Sequence, residues 1–407
     1  MTGMLSNIRV LDLTRVLAGP WCGQLFADLG ADVIKVERPG AGDDTRGWGP
    51  PFITDADGNV TDEAAYFLCA NRGKRSVALD IAKPEGQAAI RRLAAKSDVL
   101  LENYKVGGLA RYGLGYEDLR KINPGLVYCS ITGFGQTGPN AQRAGYDFMI
   151  QGMAGMMSVT GEADHRPGGG PQKIGVALSD ILTGLYTTVA ALAALAWRAQ
   201  TGQGQHVDMA LFDVTTACTA NQALNYLVSG VAPVRMGNAH PNIVPYEAFP
   251  TADHYVILAV GNDGQFRRFC QVAGRPELAD DPRFASNTLR VANRETLVGI
   301  IREVMKGKQR QFWLDGLEKV GVPCGPINDL AQVFAEPQAA ARGLAFSLPH
   351  ALGVDVPQVA NPIKFSATPI EYHRAPPRLG QHTEEVLREV AEMTPDEIAG
   401  LKATGTI

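Results

Sequence analysis

A chain of 407 residues is longer than one hydrophobic core ordinarily fills, so two domains, or one large domain with a substantial insertion, are expected. With 45% hydrophobic residues, a formal charge of −4 and a pI near 6.0, it reads as a globule with no general electrostatic pull toward nucleic acid or an anionic membrane. Six scattered cysteines without a CxxC pair exclude a zinc ribbon or disulfide scaffold and fit free thiols in a reducing compartment.

The opening MTGMLSNIRVLDLTRV lacks the pattern of a secretory leader, so a cytoplasmic protein is expected. IRVLDLT then reads as a strand, WCGQLFADLG as a helix ending at Gly30, and DVIKVER as a second strand. PEGQAAIRRLAAKS opens a helix on proline, DVLLENY is a strand, GYEDLRKI a short helix and GLVYCSIT another strand. Nearly continuous apolar strands alternating with amphipathic helices predict a parallel sheet covered on both faces, a Rossmann-like α/β layout. Two strands here end in ENYKVGG and TGFGQTGPN, and ligands of open α/β sheets bind beyond such carboxyl ends.

The apolar stretch from Ile181 to Trp197 is broken by threonines and a glycine and is short for a bilayer, so it reads as a buried helix. Segment 206–228 again looks helical, and 263–320 forms a charged helical region. The expected organisation is a large Rossmann-like domain over 1–224, a smaller α+β domain over 225–330, and a return over 331–407 that packs on the first. Two terminal helices are expected to be capped by Thr383 and Thr394.

GFGQTG at 133–138 matches G-x-G-x-x-G, but Pro139 and Asn140 follow where a helix should receive a pyrophosphate. The GGG at 168–170 lacks the GK[ST] ending of a phosphate loop, no histidine pair has metal-ligand spacing, and no G-x-S-x-G elbow occurs. No metal is therefore expected. Asp180 remains, a lone carboxylate at the start of a long apolar helix. It reads either as an amino-terminal cap, a role Ser179 could share, or as a carboxylate at the edge of a core beside unpaired amides that could equally stabilise an oxyanion.

VLDLTRVLAGPWCGQLFADLGADVIKVERPGAGDDTRGWGPPF, NRGKRSVALD, LLENYKVGGLARYGLGYEDL, SITGFGQTGP, AGYDFMIQGMAG and VALSDILTGLY occur in that order. Together they resemble the class III coenzyme A transferases, the formyl-CoA transferase and carnitine CoA-transferase group. NIVPYEAF, VFAEPQ and RAPPRLGQHT look most like the succinyl-CoA to glutarate, or dicarboxylate, members. The resemblance implies an interlocked homodimer of ring-like chains, a CoA thioester as co-substrate, a small carboxylic acid as acceptor and no tightly bound cofactor. It places the catalytic carboxylate on Asp180, in SDILTG, where helix-start amides should keep it ionised. It further implies Val16 and Leu17 near the thioester arm, Arg38 on the nucleotide, Leu79 and Tyr104 along the adenine, and Asn103 and Arg111 as polar contacts. Tyr146 joins the cofactor-binding set. Lys74 and Arg75 form either a local cationic patch or a solvated face.

Leu17 stands where the formyl-CoA member has glutamine, and NAHPNIVPYEAF does not reproduce that member's glycine-rich flap, so formate and oxalate are disfavoured. Arg15, Arg46, Arg72 and His240 are candidates for the far carboxylate of a dicarboxylate. The rival reading is a 2-methylacyl-CoA racemase or epimerase. Where such enzymes carry AGHD this chain has Tyr146 and Asp147, and a phenol of pKa about 10 is a poor base near neutrality. A catalytically silent CoA-binding protein is the second alternative.

Overall fold

The computed structural model describes residues 3–407. These form two compact units, one built from 3–156, Ile174–Leu227 and Gln338–Ile407, the other from Met157–Lys173 and Val228–Pro337. The sequence reading places 157–173 in the first domain. In the structure this segment groups with the second unit, where Arg235 pairs with Asp164 and the Gly237 N–H donates to Gly161 O at 3.0 Å.

The first unit is organised by a six-stranded parallel sheet. Its strands are β1 (Arg9–Asp12), β2 (Asp32–Glu37), β3 (Arg75–Ala78), β4 (Val99–Glu102), β5 (Val127–Thr132) and β6 (His206–Ala210). Their spatial order is β3-β2-β1-β4-β5-β6, so the direction of winding reverses between β1 and β4. Central strands such as VLLE are buried on both faces. β6 differs: HVDMA alternates exposed and half-buried residues at a sheet edge, and what the sequence suggests is the start of a helix is a strand. Helices follow only at Leu211–Ala217 and Asn221–Ser229.

Four helices matter for the site or its scaffold: α1 (Ala18–Asp28), α2 (Pro84–Ala95), α3 (Asp147–Met153) and α4 (Leu178–Thr201). α2 opens on Pro84 as expected and buries Ile90 and Leu93. α4 is not buried all round. Its inward face carries Ser179, Asp180, Thr183, Gly184, Thr187, Thr188, Ala191 and Ala194, while Leu185, Tyr186, Val189 and Trp197 are exposed. The buried threonine hydroxyls each donate to the carbonyl four residues back, so these donors are satisfied within the helix. Gly184 lets α4 approach α1, because a Cβ there would lie 2.6 Å from Ala18 O. By length and hydropathy α4 could also cross a bilayer.

Beside β3, residues 382 and 383 meet the free edge. The His382 N–H donates to Ser76 O at 2.9 Å, and the Thr383 hydroxyl accepts the Ala78 N–H at 3.0 Å. Thr383 is thus the first residue of its helix, with His382 at the cap position, because its hydroxyl serves the strand. Thr394 does cap the final helix, in a reciprocal box with Glu397.

The second unit contains a three-stranded antiparallel sheet of Tyr246–Pro250, Tyr255–Ala259 and Cys324–Gly325, with Tyr255–Ala259 central. Phe249, Val256, Leu258, Phe266, Phe269 and Trp313 fill its core, contributed by the sheet and by helices within 263–319.

Candidate active site

A cavity of about 350 Å³ opens beyond the carboxyl ends of β1, β4, β5 and β6, at the winding reversal. The turn after β1 supplies Arg15, Val16, Leu17 and Ala18, and the loop after β4 supplies Asn103, Tyr104, Lys105 and Arg111. Segment 141–147 and the first turn of α4 complete it with Arg143, Tyr146, Asp147 and Asp180. The first glycine of GFGQTG serves this fold-back. A Cβ on Gly133 would lie 2.5 Å from the Gly145 Cα, so two backbones touch there and Tyr146 and Asp147 are delivered to the cavity. That contact accounts for the glycine the dinucleotide pattern left unexplained.

Asp180 is 9% exposed. Helix α4 has Ala177 at its cap position and no local side-chain acceptor. The acceptor comes instead from α3, where Asp147 Oδ1 receives the Ser179 N–H at 2.8 Å and the Asp180 N–H at 3.3 Å. Gln151 steadies this carboxylate by donating to Asp147 Oδ2 at 2.8 Å, while its own Oε1 receives the Ile174 N–H at 3.0 Å. The expectation that helix-start amides would hold Asp180 ionised is corrected by this arrangement, since Asp147 occupies them. Burial, followed by the Asp147 charge, pushes the Asp180 carboxyl up to about 7. Among the described residues none donates a side-chain hydrogen bond to it, so the group faces the cavity as a destabilised carboxylate. Tyr66 is a further neighbour: burial and then the Asp180 charge raise its phenol to about 12, so it stays a protonated donor.

Val16, Leu17, Asn103, Tyr104, Arg111 and Tyr146 all line the Asp180 cavity, together with Arg15. Asn103 is engaged by protein backbone: its Oδ1 receives the Arg15 N–H at 3.0 Å and its Nδ2 donates to Arg15 O at 2.8 Å. It therefore locks two cavity loops together. Arg15 is exposed and pairs with Asp44 at 3.0 Å, with its guanidinium 5.9 Å from the Tyr104 ring. Arg111 lies over Tyr112 and donates to its hydroxyl at 2.8 Å.

Other candidates lie elsewhere. Arg38 is exposed just past β2 and does not line the Asp180 cavity. Leu79 is 1% exposed in the core beside Val77 and Ile90, which leaves its side chain no face for a nucleotide. Arg46 is buried between Glu37, at 2.8 Å, and Glu63, at 3.0 Å, with its guanidinium 3.6 Å from the Phe67 ring. Arg72 is buried against Asp28 through two bonds of 2.8 and 2.6 Å and also donates to Val359 O. Neither guanidinium is available to a substrate carboxylate. His240 belongs to the second unit, where its ring tilts against Tyr246. The supposed patch of Lys74 and Arg75 is not a surface patch: Lys74 is fully buried, and Arg75 pairs with Asp32 at 2.6 Å and with Glu385 of the helix Thr383–Glu389 at 3.0 Å.

Sequence reasoning missed Arg143. It lines the Asp180 cavity, stacks 5.3 Å from the Phe134 ring and, among the described residues, has no carboxylate partner. Its spacing in NAQRAGYD carries no distinguishing signal, whereas Asp147 and Gln151, four apart at a helix start, could have been read as a pair. A larger cavity of about 840 Å³ lies by Arg46, Glu63 and Arg378, away from Asp180, where the charges neutralise one another. Arg15, Lys105, Arg111 and Arg143 instead give the smaller cavity a cationic rim suited to phosphate and carboxylate.

A doubly wound sheet whose switch-point cavity joins a cationic rim to one buried carboxylate defines an α/β protein with a site suited to an anionic ligand. Comparison with known proteins places it more closely. The chain belongs to CoA-transferase family III, whose family model matches residues 5–383. It is 55% identical over 95% of both chains to the succinate–glutarate CoA-transferase of Agrobacterium fabrum. It is 43% identical to the human succinyl-CoA:glutarate CoA-transferase, over 99% of this chain and 90% of that one. A crystal structure of a CAIB/BAIF family protein from Brucella suis matches with a TM-score of 0.83 at 53% identity, over 96% of this chain and all of the other.

Proposed function

We propose that this chain transfers CoA from succinyl-CoA to a dicarboxylate such as glutarate, with Asp180 as the covalent carrier. The observation that carries this reading is the buried, undonated carboxylate of Asp180 in a cation-rimmed cavity of a family III chain. The Asp180 carboxylate attacks the donor thioester carbonyl, the C–S bond breaks, and CoA leaves as a thiolate while a mixed anhydride forms. The thiolate then attacks the Asp180 carbonyl, giving an aspartyl-CoA thioester and releasing succinate. The acceptor carboxylate attacks that thioester, expels the thiolate and forms a second anhydride. Thiolate attack on the acceptor's carbonyl completes transfer and restores Asp180.

A carboxylate suits this cycle because acylation turns it into an activated carbonyl. Burial without hydrogen-bond donors sharpens its nucleophilicity once ionised, and an acid near 7 is ionised across the upper physiological range. Arg15, Arg111 and Arg143 are guanidinium groups placed to meet the CoA phosphates or the acceptor's far carboxylate. The same reading includes a cytoplasmic, interlocked homodimer. Leu185, Tyr186, Val189 and Trp197 on the outer face of α4 support a covering partner.

Incubation with succinyl-CoA followed by hydroxylamine tests the chemistry. A hydroxamate on the peptide bearing Asp180, absent in Asp180→Ala, is the expected result. Transfer that persists in Asp180→Ala refutes the covalent role. Turnover across a panel of mono- and dicarboxylates then fixes the acceptor.

A further inference from the structure

Behind the cavity floor lie four buried charges: Asp12, Lys35, Asp43 and Lys74. Lys35 Nζ donates to Thr14 O at 2.9 Å and to Asp43 Oδ2 at 2.8 Å. Lys74 Nζ donates to Pro20 O, Asp12 Oδ2 and Asn71 Oδ1, each at 2.9 Å. Two ammonium groups therefore grip the carbonyls at either end of the 14–20 segment. Between them, Asp12 Oδ1 receives the Thr14 N–H at 3.0 Å and Asp43 Oδ1 receives the Val16 N–H at 3.2 Å.

Buried ion pairs are poor stabilisers compared with apolar residues of the same volume, so packing alone does not explain this group of charges. What they hold is unusual. Val16 has φ +73°, a left-handed conformation that a β-branched residue adopts only when its surroundings dictate it. Val16 also lines the cavity that contains Asp180.

We propose that Asp43, seated by Lys35, is a positioning residue for acyl transfer: it holds the Val16 N–H, keeps that residue left-handed and so fixes the 15–18 turn in the Asp180 cavity. The proposal rests on the CoA-transferase reading. Asp43 touches no reacting atom. Its Oδ1 also accepts the Thr45 N–H at 3.0 Å and the Thr45 hydroxyl at 2.8 Å, capping the turn at 44–47, and its effect on transfer passes through the backbone of Val16. The turn is thus preorganised before substrate arrives, which favours the chemical step over binding.

The test is a double-mutant cycle in the full chain, with Asp43→Ala, Val16→Gly and the pair, assayed for transfer from succinyl-CoA to glutarate. Asp43→Ala is expected to lower kcat about tenfold or more while moving the succinyl-CoA KM less than about threefold. Glycine adopts the left-handed conformation without a side-chain penalty, so in the Val16→Gly background the same substitution should cost at least about threefold less. A purely structural role predicts equal losses in both backgrounds. Should Asp43→Ala not fold, the pair Lys35→Met with Asp43→Leu replaces it, removing the buried ion pair as a whole and leaving the Val16 N–H no acceptor. Equal losses in both backgrounds, or kcat within about threefold of the parent in a folded Asp43 variant, overturn the proposal. A parent chain with no turnover defeats the CoA-transferase reading and this proposal with it. Turnover in the parent without coupling defeats the positioning role alone.

Discussion

Replacing Asp180 with asparagine removes a buried charge while keeping its shape, and the structure sets the size and pH range of the consequence. In the unfolded chain this carboxyl releases its proton near pH 4. In the folded chain it does so only at about 7, because burial and then Asp147 oppose the charge. Between those two values the folded state binds a proton that the unfolded state has lost, so stability falls as pH rises through this window. Above it the full penalty stands. At roughly 1.4 kcal/mol per pH unit, the penalty is at most about 4 kcal/mol. Asp180→Asn should therefore be more stable than the parent at pH 8 by a large part of that amount, and nearly equal to it at pH 4. The Ser179 and Asp180 amides keep their Asp147 acceptor in the variant. Denaturant melts at both pH values, at one protein concentration, measure the difference. A variant equal to or weaker than the parent at pH 8 would show that Asp180 is not a strained carboxylate.

Asp147→Asn retains an oxygen for Ser179 but removes the charge beside Asp180, so the acid limb of the pH–rate profile should move to lower pH. Burial, the larger cause, keeps it above the ordinary carboxylate range. Gly184→Ala would bring a Cβ to 2.6 Å from Ala18 O, and separating α1 from α4 should cost about 1–3 kcal/mol in a thermal or urea melt. Arg72→Ala leaves Asp28 buried without its ion-pair partner, which should cost about 3–5 kcal/mol of stability. The acceptor KM of the folded fraction should stay unchanged, and a raised KM would restore Arg72 as a substrate ligand.

The sheet was legible where it is buried on both faces, because VLLE is almost wholly apolar and DVIKVE carries the β-branched Val33, Ile34 and Val36, both bounded by turn residues, although the buried Lys35 interrupts the second. β6 was not, since an edge strand with polar alternation lacks that run and HVDMA leads directly into a helix. The cavity was foreseeable from strand ends, and Asp180 from its isolation in an apolar segment. Availability of cations was not. Arg46 and Arg72 have the right chemistry, but their carboxylate partners sit 9 and 44 residues away, and only the fold brings them together. The acidity of Asp180 was misjudged for the same reason, because the carboxylate that takes its helix amides lies 33 residues earlier.

Strand β3 borders the main sheet, and the hydrogen-bonding groups of Ser76 and Ala78 are met by residues 382 and 383, more than 300 positions later. A ribosome must synthesise nearly the whole polypeptide before that flank can be covered. Nascent or prematurely terminated chains would expose an open β-edge able to recruit strands from their neighbours. Thr406 adds to the same dependence, since it is wholly enclosed and its carbonyl takes the Asp80 amide.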